Sequence, residues 1–454
     1  MPSSSPSRGR RIAVRLLAAI VAVALVAVVA VYWYERPLLL TGTGYATHNA
    51  CAVTEVAGRS DPAADLPDNP LVPYMRTKAG DGWYRTSLLG VFAAQKAWYA
   101  KGFGCTLAGT RPALGTATAV RAAGNPFAAA AAPAESPEVA TAVAKAFGDD
   151  LPADGRKRLG TRAVVVVQDG ELVAERYAPG FTATTPQLGW SMTKSVANLM
   201  TGRLVQQGKV AITDDHLRKE WTDSRSKITV DELLRGTSGL AWDETYDLGT
   251  PITKMLYLEP DMAGYAAGQK LAHAPGTYQQ YSSGGTNILC SVLAKRAGQG
   301  ADLPRQQIFA PLGLTSAVLE PDAVGTPVCS SYGWATPRDW AAIGQFALQD
   351  GQWNGQQLLP VGWMQQSTTA LPGRSEETGY AAGWWVNKQA DGTLVDANLP
   401  ADTYYASGHD GQRVYVVPSA NLVVVRLGFS PDVDPKDLRA ADLVHDLVGL
   451  TATE

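Results

Sequence analysis

Trp190-Ser191-Met192-Thr193-Lys194-Ser195 is the stretch on which the fold turns. It follows a strand-rich segment and opens an apolar helix. Val196, Leu199, Met200 and Leu204 recur at helical spacing, and Gly208 ends the run. Ser191 and Lys194 stand three residues apart, which on a helix puts both side chains on one face. A serine hydroxyl becomes a nucleophile when something takes its proton, and a lysine amine can do so once burial lowers its pKa. Ser-x-x-Lys at a helix start therefore reads as an acyl-transfer nucleophile with its activator. The competing reading is an N-capping serine beside a surface lysine. A second copy, Ser224 to Lys227, lies in a polar run with no helix after its serine.

Two downstream stretches supply the missing chemistry. In Pro275 to Asn287, Pro-Gly signals a turn and Tyr281 stands just before the helical run Ile288 to Leu293. Beside a lysine ammonium a phenolate is favoured, so Tyr281 is a candidate general base and later acid; a core tyrosine is the plain alternative. In Ser407-Gly408-His409-Asp410-Gly411-Gln412, leading into the Val414 strand, glycine would let substrate lie against the strand. The backbone N–H of Gln412 is the expected oxyanion donor, with that of Ser191 as its partner.

The three stretches, in this order, resemble the penicillin-recognising serine hydrolases: class C β-lactamases, D-Ala-D-Ala carboxypeptidases, related esterases and 6-aminohexanoate-dimer hydrolases. Ile228 to Leu234 leading into Thr237-Ser238-Gly239-Leu240, and Trp334 to Trp340, look like further segments of that family. The resemblance covers residues 137 to 450. It implies an α/β (α+β) fold of the β-lactamase/transpeptidase type, an antiparallel sheet flanked by helices with an inserted, mainly helical part. Ser191 would be the nucleophile, Lys194 its activator, Tyr281 the base and acid, and His409 to Gly411 would hold the Lys-Thr-Gly position. Gln412, His409, Gly411, Ser283 and Trp190 are the expected oxyanion and substrate contacts. Asp243 and Tyr246 are cleft candidates, although the carboxylates of Asp243 and Glu244, in a loop, read first as solvated surface. Two departures bear on substrate. Ser283 stands where the family has the asparagine of Tyr-x-Asn, and His409 where it has a lysine. The implied reaction is cleavage of a small-molecule amide or ester, with β-lactams poor. A D-Ala peptidase, or a sensor that is acylated without turnover, is the second reading. No cofactor and no metal is expected.

The sheet reads from both ends of this region. Ala163 to Val167 and Leu172 to Tyr177 flank the turn Asp169-Gly170; Tyr404 to Ala406, Val414 to Val417 and Leu422 to Leu427 follow near the C-terminus. Helices are expected at Pro137 to Phe147 and Asp437 to Val448, with mainly helical sequence between Ser191 and Leu314.

Further out, the chain has 454 residues and a formal net charge of −3, with no basic stripe to suggest nucleic acid. Arg8, Arg10, Arg11 and Arg15 precede an uncharged run from Leu16 to Tyr34, closed by Tyr32, Trp33 and Tyr34. About 19 apolar residues suit one bilayer crossing, with the arginines inside and the remainder outside the cytoplasm. A cleavable signal peptide is the alternative. Residues 1–35 thus read as a cytoplasmic stub and anchor, 36–133 as a lead-in region of unread fold ending in an alanine-rich linker, and 134–454 as the hydrolase domain. Of four cysteines, none has metal-ligand spacing. Cys51 and Cys105 bracket the lead-in and form the candidate disulfide, whereas Cys290, among Ile288, Leu289, Val292 and Leu293, reads as a buried helix thiol. No Gly-x-Ser-x-Gly elbow is present, and among five histidines only His409 sits in a motif context.

Overall fold

Val164 to Val167 are buried on both sides of their strand, which is why the run is apolar throughout rather than alternating. The computed structural model describes residues 8–67, 69–375 and 379–451. In it β5 (Thr161–Gln168) and β6 (Glu171–Tyr177) join β7 (Trp385–Val386), β8 (Tyr404–Gly408), β9 (Gln412–Val417) and β10 (Leu422–Gly428). The sheet has the order β7-β8-β9-β10-β5-β6, antiparallel at every pair. The N-terminal hairpin therefore docks on the C-terminal strands, with Val165 opposite Val425.

The pleat divides the valines. Val164, Val166, Leu422 and Val424 face α2 (Pro137–Ala146) and α6 (Ala440–Thr451). Val165, Val167, Val423 and Val425 face the larger core with α5 (Pro337–Leu348). A Cβ on Gly344 of α5 would come within 2.6 Å of Val423, so glycine there lets helix and sheet approach closely. That larger core also takes in α3 (Thr193–Gln206) and α4 (Ser283–Ala297). Start signals hold locally: Ser136 accepts from Val139 N–H at 3.2 Å ahead of Pro137, and Ser282 accepts from Gly285 N–H at 3.0 Å.

The lead-in region forms structure of its own. α1 runs from Arg8 to Glu55, so one helix passes straight through position 35. Among the described residues it is the helix long and apolar enough to cross a membrane by length and composition. Its first half is exposed; Thr41 to Val53 are largely buried. Against the buried half lies a four-stranded antiparallel meander: β1 (Met75–Gly80), β2 (Trp83–Leu88), β3 (Phe92–Ala100) and β4 (Gly104–Leu107). Cys51 and Cys105 are bridged, with Cα atoms 6.0 Å apart. The buried pair His48–Glu320, at 2.8 Å, joins α1 to the catalytic region.

One expectation changes. Cys290 is not a free thiol: it is bridged to Cys329, with Cα atoms 6.2 Å apart. The segment carrying Cys329 crosses α4, where Ser330 N–H also donates to Asn287 at 3.1 Å. The alanine-rich stretch forms no helix; Arg338 donates to the carbonyls of Phe127 and Ala130 at 3.1 and 2.8 Å, strapping it to the domain.

Candidate active site

Ser191 sits on a tight turn at the mouth of α3. The preceding Trp190 has φ +47°, a left-handed conformation that costs a bulky residue energy and persists where the surroundings enforce it. Thr193 holds the Trp190 carbonyl at 2.7 Å, and the indole is packed edge-on against Tyr246 and His409. On the other side, a Cβ at Gly408 would collide with the Gly189 carbonyl oxygen, so glycine lets the end of β8 press against the Ser191 turn.

Lys194 is buried and makes three contacts: Ser191 Oγ at 2.9 Å, Ser283 Oγ at 2.9 Å and the Ser330 carbonyl at 3.1 Å. Burial drives its pKa down to about 8, against a smaller upward pull from Glu244, 3.9 Å away. Glu244 accepts from the Ser283 hydroxyl, from Ser283 N–H at 2.9 Å and from Trp242 Nε1 at 2.6 Å. An ionised carboxylate only accepts, so the Ser283 proton is committed to Glu244 and its oxygen is left as an acceptor for Lys194. A neutral amine has two N–H groups. With Ser283 and Ser330 taking both, its lone pair faces the Ser191 hydroxyl, the arrangement that lifts a proton from serine.

Tyr281 stands differently from expectation. Lys194 Nζ lies over its ring, 4.5 Å from the centroid. Burial, with Tyr380 and Glu244 adding to it, pushes the phenol well above its usual range, and the Ser191 hydroxyl offsets this only in part. A phenol so placed stays protonated at neutral pH, so the phenolate expected from the sequence is not favoured here. The ring packs with Tyr380 and Trp385.

These groups open onto a cleft of about 740 Å³ lined by Ser191, Glu244, Tyr281, Trp385, Ser407 and His409 among others. Asp243, Tyr246 and Gly411 also line it. Residues 409–411 form a turn beyond the end of β8, with Gly411 at φ +89°. Gln412 is not brought into the cleft. It is buried behind that turn, its side-chain amide donating to the carbonyls of His409, Asp410 and Gly428 at 3.2, 3.2 and 2.6 Å. Ser283 is fully buried and held between Lys194 and Glu244 rather than offered to substrate.

The profile of the Beta-lactamase family matches residues 142–448, more than half of the chain. The chain belongs to that family. It is a β-lactamase-related serine hydrolase. It is similar to the 6-aminohexanoate-dimer hydrolase of Paenarthrobacter ureafaciens, 22% identical over 311 residues, covering 61% of this chain and 74% of the other. It is also similar to the D-aminopeptidase of Brucella canis, 29% identical over 191 residues, which are 39% of this chain and only 36% of that protein. Among solved structures, one provisionally named a 6-aminohexanoate-dimer hydrolase, from Bacillus anthracis, superposes with a TM-score of 0.60 at 21% identity, covering 75% of this chain and 92% of that one.

In this Beta-lactamase-family chain the sequence reading undervalued Glu244 and passed over the Ser330 carbonyl. The alternation Trp242-Asp243-Glu244 held a signal for the first: a buried indole beside an exposed Asp243 turns the next side chain inward. A backbone carbonyl leaves no trace in a sequence.

Proposed function

We propose that the chain cleaves an ester or a linear amide through an acyl-enzyme on Ser191. The single observation behind this is a lysine with a pKa near 8 whose Nζ lies 2.9 Å from Ser191 Oγ. Lys194 takes the hydroxyl proton as Oγ bonds to the carbonyl carbon. Tyr281 gives its proton to the departing alcohol or amine and is recharged from the Lys194 ammonium over its ring. Water then releases the acyl group. The oxyanion is received by the backbone N–H of Ser191 and one at the Gly408–His409 end of β8, in place of Gln412. Ser283 and Glu244 are positioning residues for the amine.

β-Lactams fit this cleft poorly. The Ser283 hydroxyl is occupied, and Arg413 of the lining donates to the carbonyls of Gly408 and Gln412 at 3.1 and 2.8 Å. A ring carboxylate would also meet Asp243, Glu244 and Asp410. We further propose that the apolar half of α1 anchors the chain in a membrane with the hydrolase domain outside the cytoplasm.

A fluorophosphonate followed by peptide mapping tests the assignment. Label at Ser191, absent in Ser191→Ala together with esterase activity, is the expected result; label at Ser224 or Ser238 would overturn it. Side by side, kcat/KM for p-nitrophenyl butyrate should exceed that for a chromogenic cephalosporin, and the reverse order would remove the substrate assignment.

A further inference from the structure

A second chamber of about 220 Å³ lies directly beside the catalytic cleft. The two share Tyr246, His409 and Asp410, and Trp190, the neighbour of Ser191, lines the chamber from the catalytic side. Its far walls come from outside the segment that matches the Beta-lactamase family: Thr41, Gly42 and Tyr45 of α1, and Leu66, Val72 and Met75 of the lead-in region. Leu248 and Tyr257 also line it, with Asn69, Asp247 and Thr253 among its polar members. The walls are chiefly aliphatic and aromatic.

The partition between cleft and chamber is aromatic. The rings of Tyr246 and His409 are stacked with centroids 4.5 Å apart, and Trp190 meets both edge-on at 6.1 and 5.7 Å. The Tyr246 hydroxyl is buried; the Ser331 hydroxyl is close enough to act on it, although the two do not form a hydrogen bond of normal geometry.

We propose that this chamber is the acyl subsite: it takes an apolar acyl arm of about six to eight carbons from a substrate whose carbonyl lies at Ser191. A cavity of about 150 Å³ takes benzene, so this one admits a somewhat larger group. The lead-in region is thereby a specificity element of the enzyme. The inference rests on Ser191 as nucleophile, and it narrows the substrate from any small ester or amide to one with a medium-length apolar acyl group. α1 places the chamber close to the proposed bilayer surface. Thr41 lies seven positions after Tyr34, about 10 Å along the helix.

The test is an acyl-chain series. The full chain in a single detergent at fixed concentration is given p-nitrophenyl acetate, butyrate, hexanoate and octanoate. Each methylene buried is worth about fourfold, so kcat/KM should rise at least tenfold from acetate to the optimum. Gly42→Leu and, separately, Val72→Phe fill the chamber without touching the catalytic groups. A Cβ at Gly42 meets Met75 and Leu71 at ordinary contact distances of 3.5 and 3.9 Å. Both variants should keep the acetate rate within about twofold and flatten the series to within about threefold. A flat series in the wild type, or an undiminished preference in both folded variants, would overturn the subsite while Ser191 chemistry stands. Acetate hydrolysis that survives Ser191→Ala would instead overturn the underlying reaction.

Discussion

Lys194 is the residue whose environment carries the chemistry, and its titration predicts a pH profile. Burial lowers the amine from its ordinary value to about 8, and in the proposed reaction the neutral amine is the competent form. kcat/KM should therefore climb about tenfold per pH unit below that value and level off above it; a profile flat from pH 6 to 9 would count against a lysine base. Glu244 acts on the same limb in a known direction. Its charge pulls the Lys194 pKa upward, so Glu244→Gln should move the limb toward acid. The maximal rate should fall about tenfold or more, because a glutamine side chain can donate to Ser283 and free the serine proton to point at Lys194. Ser283→Ala should lose a similar factor without the acid shift. A merely structural role for Glu244 would lower the rate and leave the limb in place. The pattern Ser-x-x-Lys was legible because both partners lie three residues apart at the start of one helix. The network around it was not, since Ser283 at the start of α4, Glu244 and the Ser330 carbonyl on two separate loops meet only in the fold.

At the scale of elements, the sheet was readable because each strand carries a strong local signal. The run Ala163 to Val167 and the turn Asp169-Gly170 fix a hairpin whatever surrounds them, and β9 and β10 follow the same logic. The edge motif was misplaced by one turn: glycine is needed for close approach at Gly408, whereas positions 409–411 lie past the strand. The Cys290–Cys329 bridge escaped notice because nothing local links a helix cysteine to a loop 39 residues on. It has a consequence for the site. Cys329 directly precedes Ser330, whose carbonyl orients Lys194, and Cys290 lies on the helix that opens with Ser283. Replacing both cysteines by serine should lower the unfolding free energy by about 2–4 kcal/mol, measured by denaturant titration. It should also reduce kcat more than the change in folded fraction explains. A variant that loses stability but keeps full activity at low temperature would show that the bridge does not position Ser330.

For the whole molecule, α1 joins two environments in one helix. From Leu16 to Val31 its apolar side chains are exposed, Val23 at 70% and Val26 at 69%, a state that water penalises and a bilayer relieves. From Thr41 to Val53 the same helix is core, tied by Cys51 to Cys105 and by His48 to Glu320. The lead-in fold was illegible for this reason. Gly42, Thr43, Gly44 and Thr47 break any amphipathic pattern, because these small residues seat the helix on β3 and on Tyr257. The two halves should separate on truncation. Removing residues 1–34 should release the protein from the membrane fraction with its melting temperature and esterase activity largely kept, since those residues are largely exposed. Removing residues 1–55 should cost at least about 3 kcal/mol of stability, because it deletes a disulfide and leaves the buried Glu320 carboxylate without His48. Fractionation and thermal melts of the two truncations decide the matter. Membrane retention after loss of residues 1–34 would place the anchor elsewhere, and an unchanged melting temperature after loss of residues 1–55 would make the second half of α1 dispensable to the fold.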